Sequence, residues 1–208
     1  MLINPIFYNV SQNSDEWQSL RCGKLTASMF SDLFMDKKTK GYQDIITKVA
    51  FEKVTGKQQK NFSGKWLDYG HETEPEAAEN YEIETFNSLE NGGIWVINEY
   101  VAASPDAKIV GQNAGTEFKC PAISTYREYL DSKEKKGIVE LPKSYLYQVH
   151  GQMLCTGWDY VDYMPYYDHS LKQLLTRVYR DESILKEIVY KIEDAIIDID
   201  NLIIKIKR

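Results

Sequence analysis

The feature that most constrains this chain is a change of period in its middle third. Gly92-Gly93 opens a run over residues 94–103 rich in β-branched and aromatic residues, which predicts one or two strands. Two short segments follow, residues 106–110 and 116–120, separated by Gly111-Gln112-Asn113-Ala114-Gly115. That composition suits a hairpin loop. The sequence on either side is helical in pattern. Ser14 is placed to cap a short helix carrying Trp17 and Leu20, and further helices are expected over residues 26–34 and 42–54, the latter ending before Gly56. Residues 65–86 offer Trp66, Tyr69, Ala77, Ala78 and Tyr81 for one buried face. Pro75 removes a backbone donor and crowds the His71 carbonyl, so a kink or a fresh start is expected near Thr73. After the hairpin, helices are expected over 123–131 and 143–155, a second strand pair over 158–166 and 171–179, and a long helix over 182–206. The last carries Ile184, Leu185, Ile188, Ile192, Ala195, Ile199, Leu202 and Ile206 at helical spacing. The expected fold is α/β, a central mixed β-sheet flanked by helices.

No repeat, low-complexity tract or flexible linker divides the 208 residues, so a single domain over 1–208 is expected. With 43% hydrophobic and 27% charged residues the chain is neither disordered nor membrane-spanning in composition. No stretch approaches the roughly 20 apolar residues that cross a bilayer, and Met1-Leu2-Ile3-Asn4-Pro5 has no secretory pattern. Three cysteines, Cys22, Cys120 and Cys155, are odd in number and lack CxxC pairing, which argues against a disulfide framework, a zinc ribbon or an iron–sulfur cluster and suits a reducing cytoplasm. A formal net charge of −6 speaks against a nonspecific nucleic-acid binder. It leaves room for an enzyme that grips a polyanion with a local basic rim while clustered carboxylates hold metal ions. Candidate rim segments are Lys37-Lys38-Thr39-Lys40, the lysines at 57, 60 and 65, and Lys133-Glu134-Lys135-Lys136; each is otherwise a solvated loop.

The chemistry concentrates in Ser104-Pro105-Asp106 and Glu117-Phe118-Lys119. Side chains alternate along a strand, so Glu117 and Lys119 share one face while Phe118 points to the other, toward the core. A register setting Asp106 opposite Lys119, with 111–114 as the loop, puts all three polar side chains together. Two carboxylates beside a lysine form a hard-oxygen site suited to Mg²⁺, and the lysine can orient or deprotonate a water and offset phosphate charge. The plainer alternative is a surface salt bridge on a hairpin.

The flanks add a resemblance. Trp17-Gln18-Ser19-Leu20-Arg21-Cys22-Gly23 with Leu25-Thr26-Ala27-Ser28, then Tyr69-Gly70 with Glu74, then Ser104-Pro105-Asp106 and Glu117-Phe118-Lys119-Cys120-Pro121, and last Tyr145-Leu146-Tyr147-Gln148-Val149 come in the order of one family. Together they resemble the PD-(D/E)xK nucleases, and within them the lambda-type phage exonucleases that include YqaJ-like viral recombination nucleases. The resemblance implies a restriction-endonuclease-like core and metal ligation by Glu74, Asp106 and Glu117 with the Phe118 carbonyl. It implies Lys119 acting on the water, Gln148 beside the centre, and Arg21 and Ser28 binding a terminal 5′-phosphate. It further implies Mg²⁺, two ions with Mn²⁺ able to substitute, and 5′-to-3′ degradation of linear duplex DNA to 5′-mononucleotides, leaving 3′ single strands. A homotrimeric ring, a phage single-strand annealing partner and a phage- or prophage-encoded enzyme in the bacterial cytoplasm belong to the same expectation.

Three departures stand out. Ala107 follows Asp106 where the family usually has glycine. Asp106 and Glu117 are eleven residues apart, one more than the family spacing, and the extra residue is assigned to the hairpin loop. Where many relatives carry Gln-x-x-x-Tyr, this chain has Gln148 and Gln152. An endonuclease on the same core, and an inert DNA-binding or assembly protein, are the competing functions. His71 has no second histidine four residues on, so no zinc-protease motif exists; His150 and His169 are isolated. The tyrosines at 160, 163, 166 and 167 are expected in the core rather than stacked on bases.

Overall fold

The computed structural model describes residues 4–59 and 65–208, the side chains of 65–72 excepted. Met1 to Ile3 and Lys60 thus lie outside the described residues, as do the side chains of Lys65, Trp66, Tyr69 and His71. Sixteen elements follow one another among the described residues. Strand β1 (Ile6–Tyr8) leads into α1 (Asp15–Arg21), which the Ser14 hydroxyl caps by accepting from the Trp17 N–H. Strand β2 (Leu25–Thr26) precedes the helix expected over 26–34, which is a 3-10 helix (Ala27–Phe34). Helix α2 (Lys40–Thr55) ends on Gly56 in the left-handed conformation that glycine adopts at no cost.

Helix α3 (Lys65–Thr85) runs on through Pro75, so of the kink or fresh start expected near Thr73 the fresh start does not occur. The short strands β3 (Leu89–Asn91), β4 (Ile94–Val96) and β5 (Val101–Ala103) follow. Then come the hairpin strands β6 (Ala107–Ile109) and β7 (Ala114–Lys119). Helices α4 (Ile123–Lys136) and α5 (Lys143–Thr156), strands β8 (Tyr160–Pro165) and β9 (Thr176–Tyr179), and helix α6 (Glu182–Ile206) complete the chain.

The strands form two sheets rather than one, in the orders β1-β4-β5-β2 and β3-β6-β7-β8-β9. Each is mixed: β2 runs parallel to β5, and β7 parallel to β8. In the hairpin Ala107 faces Thr116 and Lys108 faces Gly115. The expected register is therefore displaced by two residues, and the loop is 110–113 instead of 111–114. A displacement of two leaves every side chain on its expected face, whereas one residue would have reversed them all. The two paired positions follow one another without a bulge.

The second sheet is covered on both sides. Against one face pack Ala77 and Tyr81 of α3, meeting Phe118, Ile109 and Met164. Against the other pack Tyr126 and Tyr129 of α4 and Val149 and Met153 of α5, meeting Val161 and Tyr163. Tyr163 and Tyr166 are buried, and Tyr163 exchanges a hydrogen bond of 2.7 Å with Tyr129, so these tyrosines are core. The largest apolar cluster joins the 3-10 helix, α2, α5 and α6, and takes in Leu185, Ile188, Ile192, Ala195 and Ile199 from the α6 stripe. Gly151 permits the closest approach within it: a Cβ there would overlap the Phe30 ring of the 3-10 helix. Buried Asp162 on β8 accepts from Arg177 at 2.8 and 2.9 Å and from the Tyr81 hydroxyl at 2.8 Å, tying α3, β8 and β9 together.

Candidate active site

A single cleft of about 640 Å³ is lined by Arg21, Ser28, Glu74, Asp106, Glu117, Lys119, Gln148 and Gln152, among others. Except for Phe118, every side chain that the resemblance assigns to the site thus opens on one space. Phe118 is buried beneath it at 3% exposure, and its ring meets Tyr81 edge-on at 6.1 Å between centroids. The alternation of β7 explains this division: Glu117 and Lys119 face α5, while Phe118 between them faces α3.

Glu117 is 2% exposed and heavily partnered. Its Oε1 accepts from Lys119 Nζ and from Gln148 Nε2, the latter at 2.5 Å. Its Oε2 accepts from Gln152 Nε2 at 2.5 Å. Gln148 and Gln152 stand one turn apart on α5, the geometry that lets both reach the same carboxylate. Asp106 enters from the bend immediately before β6, and its Oδ2 accepts from the Phe118 N–H at 2.7 Å. Burial raises the Asp106 carboxyl well above the usual carboxylate range; Glu117 and Glu74 push the same way, against Lys119 and the Phe118 hydrogen bond. Burial acts to discharge Lys119, but Glu117 and Asp106 outweigh it and hold the amine above the ordinary lysine range. The nearby Cys120 thiol is pushed up to about 12, by burial first and then by Glu74 and Asp106, so it is protonated and unreactive.

Glu74 reaches the cleft from α3, in the layer opposite α5, and with Asp106 it also lines a smaller hollow beside Leu89 and Asn91. The three acids therefore converge from two layers. Among the described residues no group of three or more His, Cys, Asp and Glu side chains forms a ready-made metal cage. The donor set is nonetheless one of hard oxygens. The pressure of Glu117 and Glu74 on the buried Asp106 carboxyl is the electrostatic condition that a divalent cation relieves. The residues present fit such an ion.

At the other end of the cleft, Arg21 donates to the Ser104 hydroxyl and, at 3.4 Å, to Thr26 Oγ1, which lies 3.3 Å from Ser28 Oγ. The guanidinium also lies 4.2 Å from the Trp17 ring centroid. Burial lowers the Arg21 pKa to about 10, with Glu52 and Glu117 opposing, so it remains charged at neutral pH.

The sequence assigns no role to Gln152, and three further residues carry no signal in it. Ser104 opens the Ser-Pro-Asp motif and accepts from Arg21 in the cleft. Lys48 of α2 lines the cleft. Buried Glu52 accepts from the Gly23 N–H at 2.9 Å and the Gln59 N–H at 3.0 Å, holding the turn after α1 in place. Its position on α2, four residues after Lys48, carries no local signal of that role. Of the candidate basic rim, Lys37 is committed elsewhere, 2.8 Å from both Asp194 and Asp198 on α6, and Lys136 pairs with Glu140 at 2.6 Å. His150 is buried with Nδ1 2.8 Å from the Leu146 carbonyl, and His169 is exposed, so neither joins the site.

The sequence profile of the YqaJ-like viral recombinase domain matches residues 16–159. Among solved structures, the alkaline exonuclease LHK-Exo from Laribacter hongkongensis is 27% identical with a TM-score of 0.82, over 94% of this chain and 97% of its own. The same enzyme in complex with dAMP matches at 28% identity and 0.81, with the same coverage. A phage-related exonuclease from Haemophilus somnus 129PT shares the fold at 17% identity and a TM-score of 0.65, over 91% of this chain and 99% of its own. No curated protein matches the sequence. The match over residues 16–159, with the shared fold beneath it, makes this chain a member of the YqaJ-like viral recombinase domain family, a family of metal-dependent nucleases, and a DNA exonuclease.

Proposed function

We propose that the chain is a Mg²⁺-dependent 5′-to-3′ exonuclease on linear duplex DNA that releases 5′-mononucleotides and leaves 3′ single strands. The observation carrying this reading is that Arg21 and Ser28 share one cleft with Asp106, Glu117 and Lys119. An anion-binding pocket beside a hydrolytic centre suits an enzyme that holds a strand end and cuts near it. Arg21 offers a planar fork of donors matched to phosphate, and Ser28 and Ser104 offer hydroxyls. The dAMP held by LHK-Exo supports a mononucleotide product.

Glu74, Asp106, Glu117 and the Phe118 carbonyl would hold the metal, which when bound acidifies the attacking water and stabilises the leaving oxygen. The protein's own groups supply the rest. Lys119, kept charged between two acids, orients the water and offsets charge gathering on the phosphate. Gln148, half-buried at the cleft wall, orders Glu117 and the water beside it. Arg21 fixes the strand end so that the reacting phosphodiester presents itself to Lys119.

A homotrimeric ring and a phage single-strand annealing partner complete the reading. Tyr190, Ile197 and Ile204 lie seven residues apart on α6 and are 67%, 59% and 51% exposed, an apolar line that suits a subunit contact. No described helix is long and apolar enough to cross a membrane, and the three cysteines are unpaired, in keeping with work in the cytoplasm of a bacterial host. The deciding experiment is incubation of linear duplex, labelled at either the 5′ or the 3′ end, with Mg²⁺ or EDTA. The 5′ label leaves first as mononucleotide and only with Mg²⁺. Early loss of the 3′ label refutes the polarity, and cutting of closed circular duplex would favour the endonuclease.

A further inference from the structure

We propose that Gln152 is the fixed positioning residue of this site, holding the inner oxygen of Glu117 from behind while Gln148 one turn earlier is the exchangeable one. The two amides make bonds of equal length to one carboxylate, yet their surroundings differ. Gln148 is half-buried, whereas Gln152 is 1% exposed between Gly151 and Met153, both inaccessible to solvent. Gly151 is also the residue seated on the Phe30 ring, so the backbone at 152 has no freedom to retreat. One turn on, the Thr156 hydroxyl donates to the Gln152 carbonyl at 2.9 Å and accepts from the Trp158 N–H at 3.1 Å, securing the end of α5.

The orientation of the amide is decided by its partner. Turned over, the side chain would set its carbonyl oxygen against a carboxylate oxygen, so the NH₂ group must face Glu117. Oε1 is then buried with no hydrogen-bond donor among the described residues. The NH₂ end is thereby committed to Glu117 Oε2. Lys119 and Gln148 both bind the opposite oxygen, Oε1 of Glu117, on the open side of the cleft. Each can release the Oε1 lone pair it occupies to an incoming cation, while Gln152 keeps the carboxylate plane from turning.

This inference rests on Glu117 as a metal ligand, and the test separates the two. Full-length parent, Gln152→Met, Gln152→Asn and Gln148→Met are titrated with Mn²⁺ without DNA, following free Mn²⁺ by electron paramagnetic resonance. Removing an outer hydrogen bond to a metal ligand typically weakens affinity about 10- to 100-fold, and Gln152→Met falls in that range. Gln152→Asn loses less, and Gln148→Met less than Gln152→Met. Circular dichroism and a thermal melt establish that each variant is folded. A merely structural role would lower the melting temperature and leave Mn²⁺ affinity of the folded protein unchanged, which overturns the proposal. Equal losses for the two methionine variants overturn the division of roles. If Gln152→Met does not fold, Gln152→Asn decides: parent-like Mn²⁺ affinity overturns, a loss of several-fold supports. A parent that binds no Mn²⁺ overturns the metal reading itself.

Discussion

Replacing Arg21 by alanine tests the end-recognition half of the site. The guanidinium donates to Ser104 and Thr26 and stacks 4.2 Å from the Trp17 ring centroid, inside the cleft that holds Lys119. Hydrogen bonds from a charged group are worth about 1.5–3 kcal/mol each. With one N–H engaged by Ser104, a terminal phosphate gains one to two such bonds, together roughly 1.5–6 kcal/mol. At about 1.4 kcal/mol per decade, that is roughly a 10- to 10⁴-fold loss in kcat/KM on 5′-phosphorylated duplex. The cation–π contact adds only about 0.5–1 kcal/mol to the fold, so the variant remains folded. On duplex with 5′-hydroxyl ends the loss is no more than a few-fold, because the interaction removed was never made. Arg21→Lys keeps the charge without the fork and falls between. The assay is initial-rate mononucleotide release from matched duplexes differing only in the terminal phosphate, with melting curves as the control for folding. Equal losses on both substrates would refute the reasoning.

Three further outcomes follow from the same geometry. Lys119→Ala lowers kcat by about 10²–10³-fold, the usual cost of one preorganised electrostatic group, while the Kd for duplex in EDTA stays near that of the parent; wild-type turnover would remove Lys119 from the mechanism. Asp162→Ala leaves Arg177 and the Tyr81 hydroxyl without their buried acceptor, and urea unfolding should show a loss of roughly 2–3 kcal/mol, less than for a fully buried pair because Arg177 is 38% exposed. Burial lowers the His150 pKa, so the unfolded chain takes up its proton first as pH falls below about 6.5. Stability therefore declines with acidification through that window and levels off below the folded pKa, and a His150→Gln variant lacks this share of the slope in pH-dependent melts.

What the sequence disclosed depended on how local each determinant was. Helix α6 and the capped start of α1 were legible because an apolar stripe at helical spacing and a serine before the first turn are local signals. The hairpin was legible as a hairpin, but its register was not. Loop composition names the turn without fixing how many residues it uses, and the true pairing of Ala107 with Thr116 came out two residues away. The faces survived because the error was even. Strands β1 and β3, three residues each, are too short to show alternation, so one sheet was expected where two exist. The division of the acids between layers, with Glu74 on α3 and Glu117 facing α5, was likewise out of reach. The partners of Gln152 and Glu52 exist only once α5 meets the hairpin and α2 meets the turn after α1.

The α-carbon of Gly151 carries no side chain to hold the Phe30 ring away. Because α5 rests there directly on the 3-10 helix, Ser28 and the two glutamines belong to elements joined at one incompressible seat. In an exonuclease of the proposed kind, the span from the gripped strand end to the bond that is cut sets how many nucleotides leave per turnover. That seat would work as a ruler's zero mark. A methyl group inserted at 151 would shift the scale, and the first symptom would be fragments of altered length rather than a slower clock.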